Sequence, residues 1–403
     1  MKAGWQTKKL GEICQIKPPK VEARRQVSES DLVSFVPMED LGIDQKFLVS
    51  TRTEPLAEVI GSYTYFADGD VLLAKITPCF ENRKLGIAAN LTKGIGFGSS
   101  EYIVFRPGQS VNKEWLYYFL SRESFRKEGA AHMSGAVGHK RVPKKFIETY
   151  PIPLPPLPEQ HRIVAILDEA FTGIATAKAN AEKNIQNARE LFESDLHSIF
   201  TQRGEGWVEK KLRDVCDISS KLVDPRKSDF IDLIHVGAGN IETKTGGLID
   251  LKTAREENLI SGKFFFDRAM VLYSKIRPYL MKVARPEFNG LCSADIYPLM
   301  PQADRINRDY LFYMLLTQDF TSYAIKGSAR AGMPKVNREH LFDFLFYLPP
   351  IQHQDAYVVQ LDTLSIEIKR LESLYQKKLL ALEELKQSLL HQAFTGQLSR
   401  SVP

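Results

Sequence analysis

The chain has 403 residues, 43% hydrophobic and 26% charged, with a formal net charge of +5. That length leaves room for two or three domains with separate cores, and the composition excludes a disordered or collagen-like chain. The charge permits nucleic-acid binding without arguing for it.

The opening MKAGWQTKKLGEIC lacks an apolar core of signal-peptide length, and no stretch approaches a membrane span. A cytoplasmic protein that meets no membrane is therefore expected. Cys14, Cys79, Cys216 and Cys292 form no CxxC pair and have no His partner at metal spacing, so buried reduced thiols are expected and metal is not.

Residues 1–155 read as a mixed α+β segment. Short runs such as LVSFVPM and EYIVFRP have strand character between Gly, Pro and Asn punctuation. KEWLYYFLSRESFRKEG reads as helical, its aromatics suited to a core. Cationic and hydroxyl residues gather in loops, first Lys75, Thr77, Arg83 and Lys84, then His139, Lys140, Arg141 and Lys144 within MSGAVGHKRVPKK. Small residues there allow close backbone approach, while long cations reach phosphates and Arg also reaches base edges. A solvated surface charge is the plain alternative for each of them.

At 151–158, PIPLPPLP stops the segment. Proline fixes its own φ and pushes the preceding residue out of the helical region. Pro158 can sit in the first turn of a helix, where its missing N–H costs nothing, and Glu159 suits the helix dipole. A long helix is expected over 156–203.

The chain then starts again. GWQTKKLGEIC at 4–14 returns as GWVEKKLRDVC at 206–216, and DVLLAKITP at 70–78 returns as AMVLYSKIRP at 269–278. Leu154-Pro155-Pro156 matches Leu348-Pro349-Pro350, Gln160 matches Gln354, and Leu167-Asp168 matches Leu361-Asp362. A second α+β segment over 204–349 and a second long helix over 350–403 follow. The copies keep constant step through the helices but drift in the globular parts, so helix length is held while loops vary. The second segment repeats the loop clusters with Ser274, Lys275, Arg277, Tyr279 and Lys282, then Lys326, Arg330, Lys335 and Arg338.

A heptad in the second helix places Leu361, Leu364, Ile368, Leu371, Leu382 and Leu385 in one seam. The matching seam of the first has Leu167, Ala170, Ile174, Ala177 and Leu191, and both turn polar, at Asn184 and Lys378. Large residues facing small ones predict an antiparallel intramolecular coiled coil with a pseudo-two-fold repeat. Burial of each helix on its own globular segment is the alternative. Because GW follows the first helix directly, Trp5 is expected near the end of the second helix, around Phe394.

Catalytic patterns are missing. GIGFGSS at 94–100 has no phosphate-binding helix after it, and there is no Walker A motif, GxSxG or HExxH. IPLPPLPEQHRIVAILD followed by a long helix, between two globular halves that each open with GW and KKL, resembles the specificity subunit of type I restriction–modification systems. The second copy departs locally, with Gln352 and His353 where the first has Pro158 and Glu159. The resemblance implies two target recognition domains, each reading one part of a split, asymmetric double-stranded DNA sequence, held apart by the two helices. It implies modification subunits that methylate adenine, restriction subunits that translocate and cut, and S-adenosylmethionine, ATP and Mg held in those partners and not in this chain. A coiled-coil scaffold that organises proteins without reading DNA is the competing reading. An enzyme in its own right would need the missing motifs.

Overall fold

The computed structural model describes residues 4–49, 52–136, 138–328 and 334–399. Arg330, a candidate contact, lies outside the described residues. Two compact units form, Met1–Ala181 with Lys377–Pro403, and Glu182–Gln376. Each unit therefore combines a globular segment with the start of the long helix that follows it and the end of the other long helix.

In the first unit, Cys14–Ile16, Tyr102–Pro107, Val71–Ala74 and Leu85–Ile87 make an antiparallel sheet in that order. Arg52–Pro55, Leu32–Val36, Ile95–Gly98 and Thr64–Ala67 make a second, in which Leu32–Val36 runs parallel to Ile95–Gly98. The second unit repeats the first sheet with Cys216–Ile218, Ile296–Pro301, Val271–Ser274 and Val283–Ala284. Its other sheet again sets Ile234–Val236 parallel to Gly290–Cys292. An edge strand there, Leu222–Val223, takes the place in sequence that the helix Val21–Gln26 has in the first unit. The α+β expectation and the internal repeat both hold.

The helical stretches of the two segments are each broken once. Lys113–Ser121 and Glu123–Ala131 are separated by Arg122 in an extended conformation. Arg308–Leu315 and Gln318–Lys326 are separated at Thr317, whose hydroxyl accepts from the Phe320 N–H. Asn112 and Asn307 start the leading helices in the same way. Each side-chain oxygen accepts from the N–H groups two and three residues on, which would otherwise lack partners. Trp115, Phe119, Tyr310 and Tyr313 are buried, as core aromatics should be. The four thiols are free, with Cys79 half-buried and the others buried.

The proline joint is built twice from the same hydrogen bonds. Gln160 is fully buried; its Oε1 accepts from Asn112 N at 2.8 Å, and its Nε2 donates to Ser110 O at 2.9 Å and Pro155 O at 2.8 Å. Gln354 repeats this, accepting from Asn307 N at 2.8 Å and donating to Arg305 O and Pro349 O at 3.0 and 2.9 Å. Prolines end the strand, and one amide side chain satisfies the backbone groups they strand. The start of each globular segment is zipped to the strand before the stop, Gln6–Lys9 to Pro151–Leu154 and Val208–Lys211 to Leu345–Leu348.

Both long helices have 45 residues, Leu157–Thr201 and Ile351–Thr395, or about 68 Å each at 1.5 Å per residue. They run antiparallel within each unit. Arg162 bonds the Leu398 carbonyl and Lys178 pairs with Glu383 in the first unit; Asn184 donates to Tyr375 and Arg189 pairs with Glu372 in the second. The globular cores take up the helix ends. Ile163 and Leu167 join Leu390, Ala393 and Phe394 in the first core, while Leu196, Ile199, Val358 and Leu361 join the second. Helix pairing and burial on globular segments are therefore both present. Trp115 contacts both Trp5, at 5.8 Å, and Phe394, at 4.2 Å between ring centroids, which places the chain start beside the end of the second helix.

The strict heptad loses phase. Leu167, Ile174, Leu361 and Ile368 are buried, the two leucines within the globular cores, and Ala170, Ala177, Leu364 and Leu382 are half-buried. Leu191, Leu371 and Leu385, expected in the seam, are instead 53%, 39% and 45% exposed. Ile185, Phe192, Glu372, Leu379 and Lys386 turn inward in their place. A straight helix of 3.6 residues per turn drifts about 20° per heptad from a 3.5-residue repeat, so the buried face migrates by one position.

Candidate nucleic-acid interface

Three loops meet at one end of the first unit's antiparallel sheet. Lys75, just past Val71–Ala74, donates its N–H to Glu101 O at 2.9 Å, and its carbonyl accepts from Val142 N at 2.9 Å. Thr77 N donates to Lys140 O at 2.9 Å. The second unit uses the same scheme, with Lys275 N to Asp295 O at 2.9 Å and Val336 N to Lys275 O at 2.8 Å. Lys75 and Lys275, Glu101 and Asp295, and Arg141 and Lys335 thus occupy matching places on matching backbone.

Side chains then gather at this point. Arg141 donates from Nε and Nη2 to Glu101, at 3.0 and 2.8 Å, and from Nη1 to the His139 carbonyl at 2.9 Å. Lys75 reaches Ser100 O at 2.9 Å and lies 3.8 Å from Glu101. The hydrogen bonds from Arg141 hold the Glu101 carboxyl below the usual carboxylate range, so it stays charged. Partial burial lowers the Lys75 pKa, and Arg141 and Lys17 add to this as neighbouring cations. His139, Lys140 and Arg141 are exposed, and Thr77 bonds Glu81 at 2.9 Å. The turn that delivers them needs Gly135, at φ +127 with an added Cβ only 3.0 Å from His139 O.

In the second unit, Lys275 lies over the Tyr297 ring at 5.0 Å, and burial and then Lys335 lower its pKa. Arg277, Tyr279, Lys335 and Arg338 are exposed, Tyr279 by 52%. Lys326 ends the helix Gln318–Lys326 and is also exposed.

Other candidates are engaged inside the protein. Arg83 pairs with Glu383 at 3.2 Å and Asp44 at 3.7 Å. Lys84 donates to Met38 O and Lys282 to Ala238 O, both at 2.6 Å, so each ties its loop to a matching short turn. Ser274 is buried and bonds Ile276 O at 3.3 Å, whereas Lys144 pairs with Glu148 one helical turn along but stays exposed. Sequence reasoning missed Lys17, Glu101, Asp295 and Tyr297. GIGFGSS, just before Glu101, is no phosphate loop but the buried strand Ile95–Gly98 and the turn after it. A Cβ at Gly98 would meet Val36 O at 2.2 Å, so glycine is there for strand packing.

A groove of about 800 Å³ in the second unit, floored by Phe192, Phe312 and Tyr313, is rimmed by charges already paired with one another, such as Arg189 with Glu372 and Arg285 with Asp362. Among the described residues no group of three or more His, Cys, Asp or Glu could hold a metal ion. No helix among them is long and apolar enough to cross a membrane.

Comparison with known proteins gives two matches to one family, the type I restriction modification DNA specificity domain, at residues 2–187 and 204–378. The EcoDI type I restriction enzyme specificity subunit of Escherichia coli is 33% identical over 219 residues, 54% of this chain and 47% of that protein. The EcoAI specificity subunit of Escherichia coli is 42% identical over 243 residues, 58% of this chain and 40% of that protein. The matched region thus spans less than half the length of these relatives. Among solved structures, the HsdS subunit from Thermoanaerobacter tengcongensis superposes with a TM-score of 0.63 at 19% identity, covering 98% of both chains. A chain from a study of complex assembly and conformational transition of the type I R-M system gives 0.79 at 18% identity, covering 98% of this chain and 99% of that one.

Proposed function

Because the chain belongs to the type I restriction modification DNA specificity family, we propose that it reads a bipartite, asymmetric double-stranded DNA target and directs adenine methylation and cleavage by partner subunits. The observation that carries this reading is the pair of matched loop clusters, in which one backbone scheme presents Lys75, Glu101 and Arg141 in one unit and Lys275, Asp295 and Lys335 in the other. Equal frames with unequal side chains are what two readers of unlike half-sites require. A scaffold indifferent to DNA has no use for them.

Exposed lysines fix the position of the protein on the phosphates, while forked or aromatic side chains sort base edges. Partners share the phosphate contacts, which suits the modest charge. The two helices, equal at 45 residues, set the gap between half-sites. The chain is non-catalytic in this reading and acts in the cytoplasm. Modification subunits supply S-adenosylmethionine chemistry, and restriction subunits supply the ATP- and Mg-dependent steps.

The test is to co-express the chain with its modification subunits and map methylated adenines across the host DNA by single-molecule sequencing. A split motif with two unlike halves and a constant gap is expected. No new methylation from an intact complex with an active methyltransferase would favour the scaffold.

A further inference from the structure

Arg141 is the one cation of the first unit's cluster whose fork is already partly spent. A guanidinium has five N–H donors in a fixed plane. Its Nε and one N–H of Nη2 go to Glu101, and one N–H of Nη1 goes to the His139 carbonyl. Among the described residues this leaves two N–H groups, one on each terminal nitrogen. They are held in orientation by a carboxylate on one edge and a carbonyl on the other.

A carboxylate in the middle of a cationic cluster weakens attraction to phosphate, which needs charge and little orientation. It has value where direction matters. Two parallel donors at the end of an arginine fork match the O6 and N7 acceptors of guanine in the major groove. The second unit keeps the backbone scheme but has Lys335 in place of Arg141 and the shorter Asp295 in place of Glu101. A lysine ammonium is a point charge and has no fork to orient.

We propose that Arg141 reads a guanine in the half-site of the first unit and that Glu101 is the residue that positions it. The assignment rests on the DNA-reading function proposed above. It makes Glu101 a determinant of specificity, without requiring it to touch the DNA. It also predicts that the guanine read through this pair lies in the half-site of the first unit.

The experiment compares wild type, Arg141→Lys and Glu101→Gln in the complex with modification subunits, again by mapping methylated adenines. Wild type should show a guanine at one position of one half-site. Both variants should relax that same position, losing a preference on the order of 5- to 150-fold, while the other half-site and the gap stay as they were. The unchanged half-site and gap report that the complex is still assembled and folded. A wild-type motif from both variants would overturn the proposal. So would a uniform fall in methylation with no change of motif, which marks a phosphate contact. Loss of all methylation in Glu101→Gln with an unaltered motif in Arg141→Lys would also overturn it, by showing a role in folding alone. Absence of any split motif for wild type would instead remove the DNA-reading function beneath it.

Discussion

In the first unit, Asp168 accepts from Lys46 and Tyr118, and Lys46 also meets Glu114 at 2.8 Å. In the second, the matching Asp362 accepts from Arg285 and Tyr313, and Arg285 meets Asp309 at 3.4 Å. Tyrosine and both acids are equivalent, but the cations are not. Lys46 precedes the strand Arg52–Pro55, whereas Arg285 follows Val283–Ala284. By contrast, Gln160 and Gln354 make the same three bonds in both units. The difference separates two kinds of constraint. A buried amide that must meet one N–H and two carbonyls at set angles has few substitutes, while a positive charge beside a carboxylate can come from any segment that reaches.

The sharpest way to break that comparison is to remove the two glutamines. Gln160→Leu should leave the Asn112 N–H and the Ser110 and Pro155 carbonyls without their partner, a loss of roughly 3 kcal/mol or more at about 1–3 kcal/mol per stranded group. Gln354→Leu should cost the same in the second unit. Urea denaturation gives the size of the effect, and hydrogen exchange shows which unit opens. A large loss in one unit with none in the other would mean that the two joints are alike in geometry but not in energy.

The cations should behave differently. Lys46→Ala and Arg285→Ala are each expected to cost about 1–2 kcal/mol, since a charged hydrogen bond to a partly exposed carboxylate is lost. The effect should stay within the unit concerned. Faster exchange of Lys113–Ser121 is the readout for Lys46→Ala, and faster exchange of Arg308–Leu315 for Arg285→Ala.

What could be read from the sequence follows the same division. The proline stop, Gln160 and Gln354, and the doubled order of elements were visible because those positions tolerate few residue types. The clusters at Lys75, Arg141, Lys275 and Lys335 were visible because loops of one composition recur. Glu101 and Lys17 were not, since strand pairing brings them to the cluster from elsewhere and one acid in a loop carries no sign of its destination. Arg83 has the composition of a DNA contact, yet its guanidinium meets Glu383 from 300 residues away. Charge in a sequence does not disclose a partner supplied by a remote helix. The heptad failed at Leu191, Leu371 and Leu385 for a geometric reason, the mismatch between helical pitch and a seven-residue repeat.

The helix pairs give the smallest contrast and the one with a pH signature. Glu383 is half-buried in the first unit; burial alone would raise its pKa, but donors from Lys178, Gln387 and Arg83 outweigh this and hold it at about 2. A carboxylate depressed below its unfolded value of about 4.3 binds fewer protons when folded. Its contribution is therefore complete above that value and fades as pH falls from about 4 toward 2. Hydrogen-exchange protection of the first unit's helix pair should fall over that interval in wild type and more gently in Glu383→Gln, which has no charge to lose. In the second unit Glu372 faces Arg189, whose side chain is 57% exposed. A single pair whose cation lies mostly in water contributes little, so Glu372→Gln should change stability by less than about 0.5 kcal/mol. Equal effects from Glu383→Gln and Glu372→Gln would show that helix pairing, and not the convergence of three donors on one carboxylate, sets the energy of both seams.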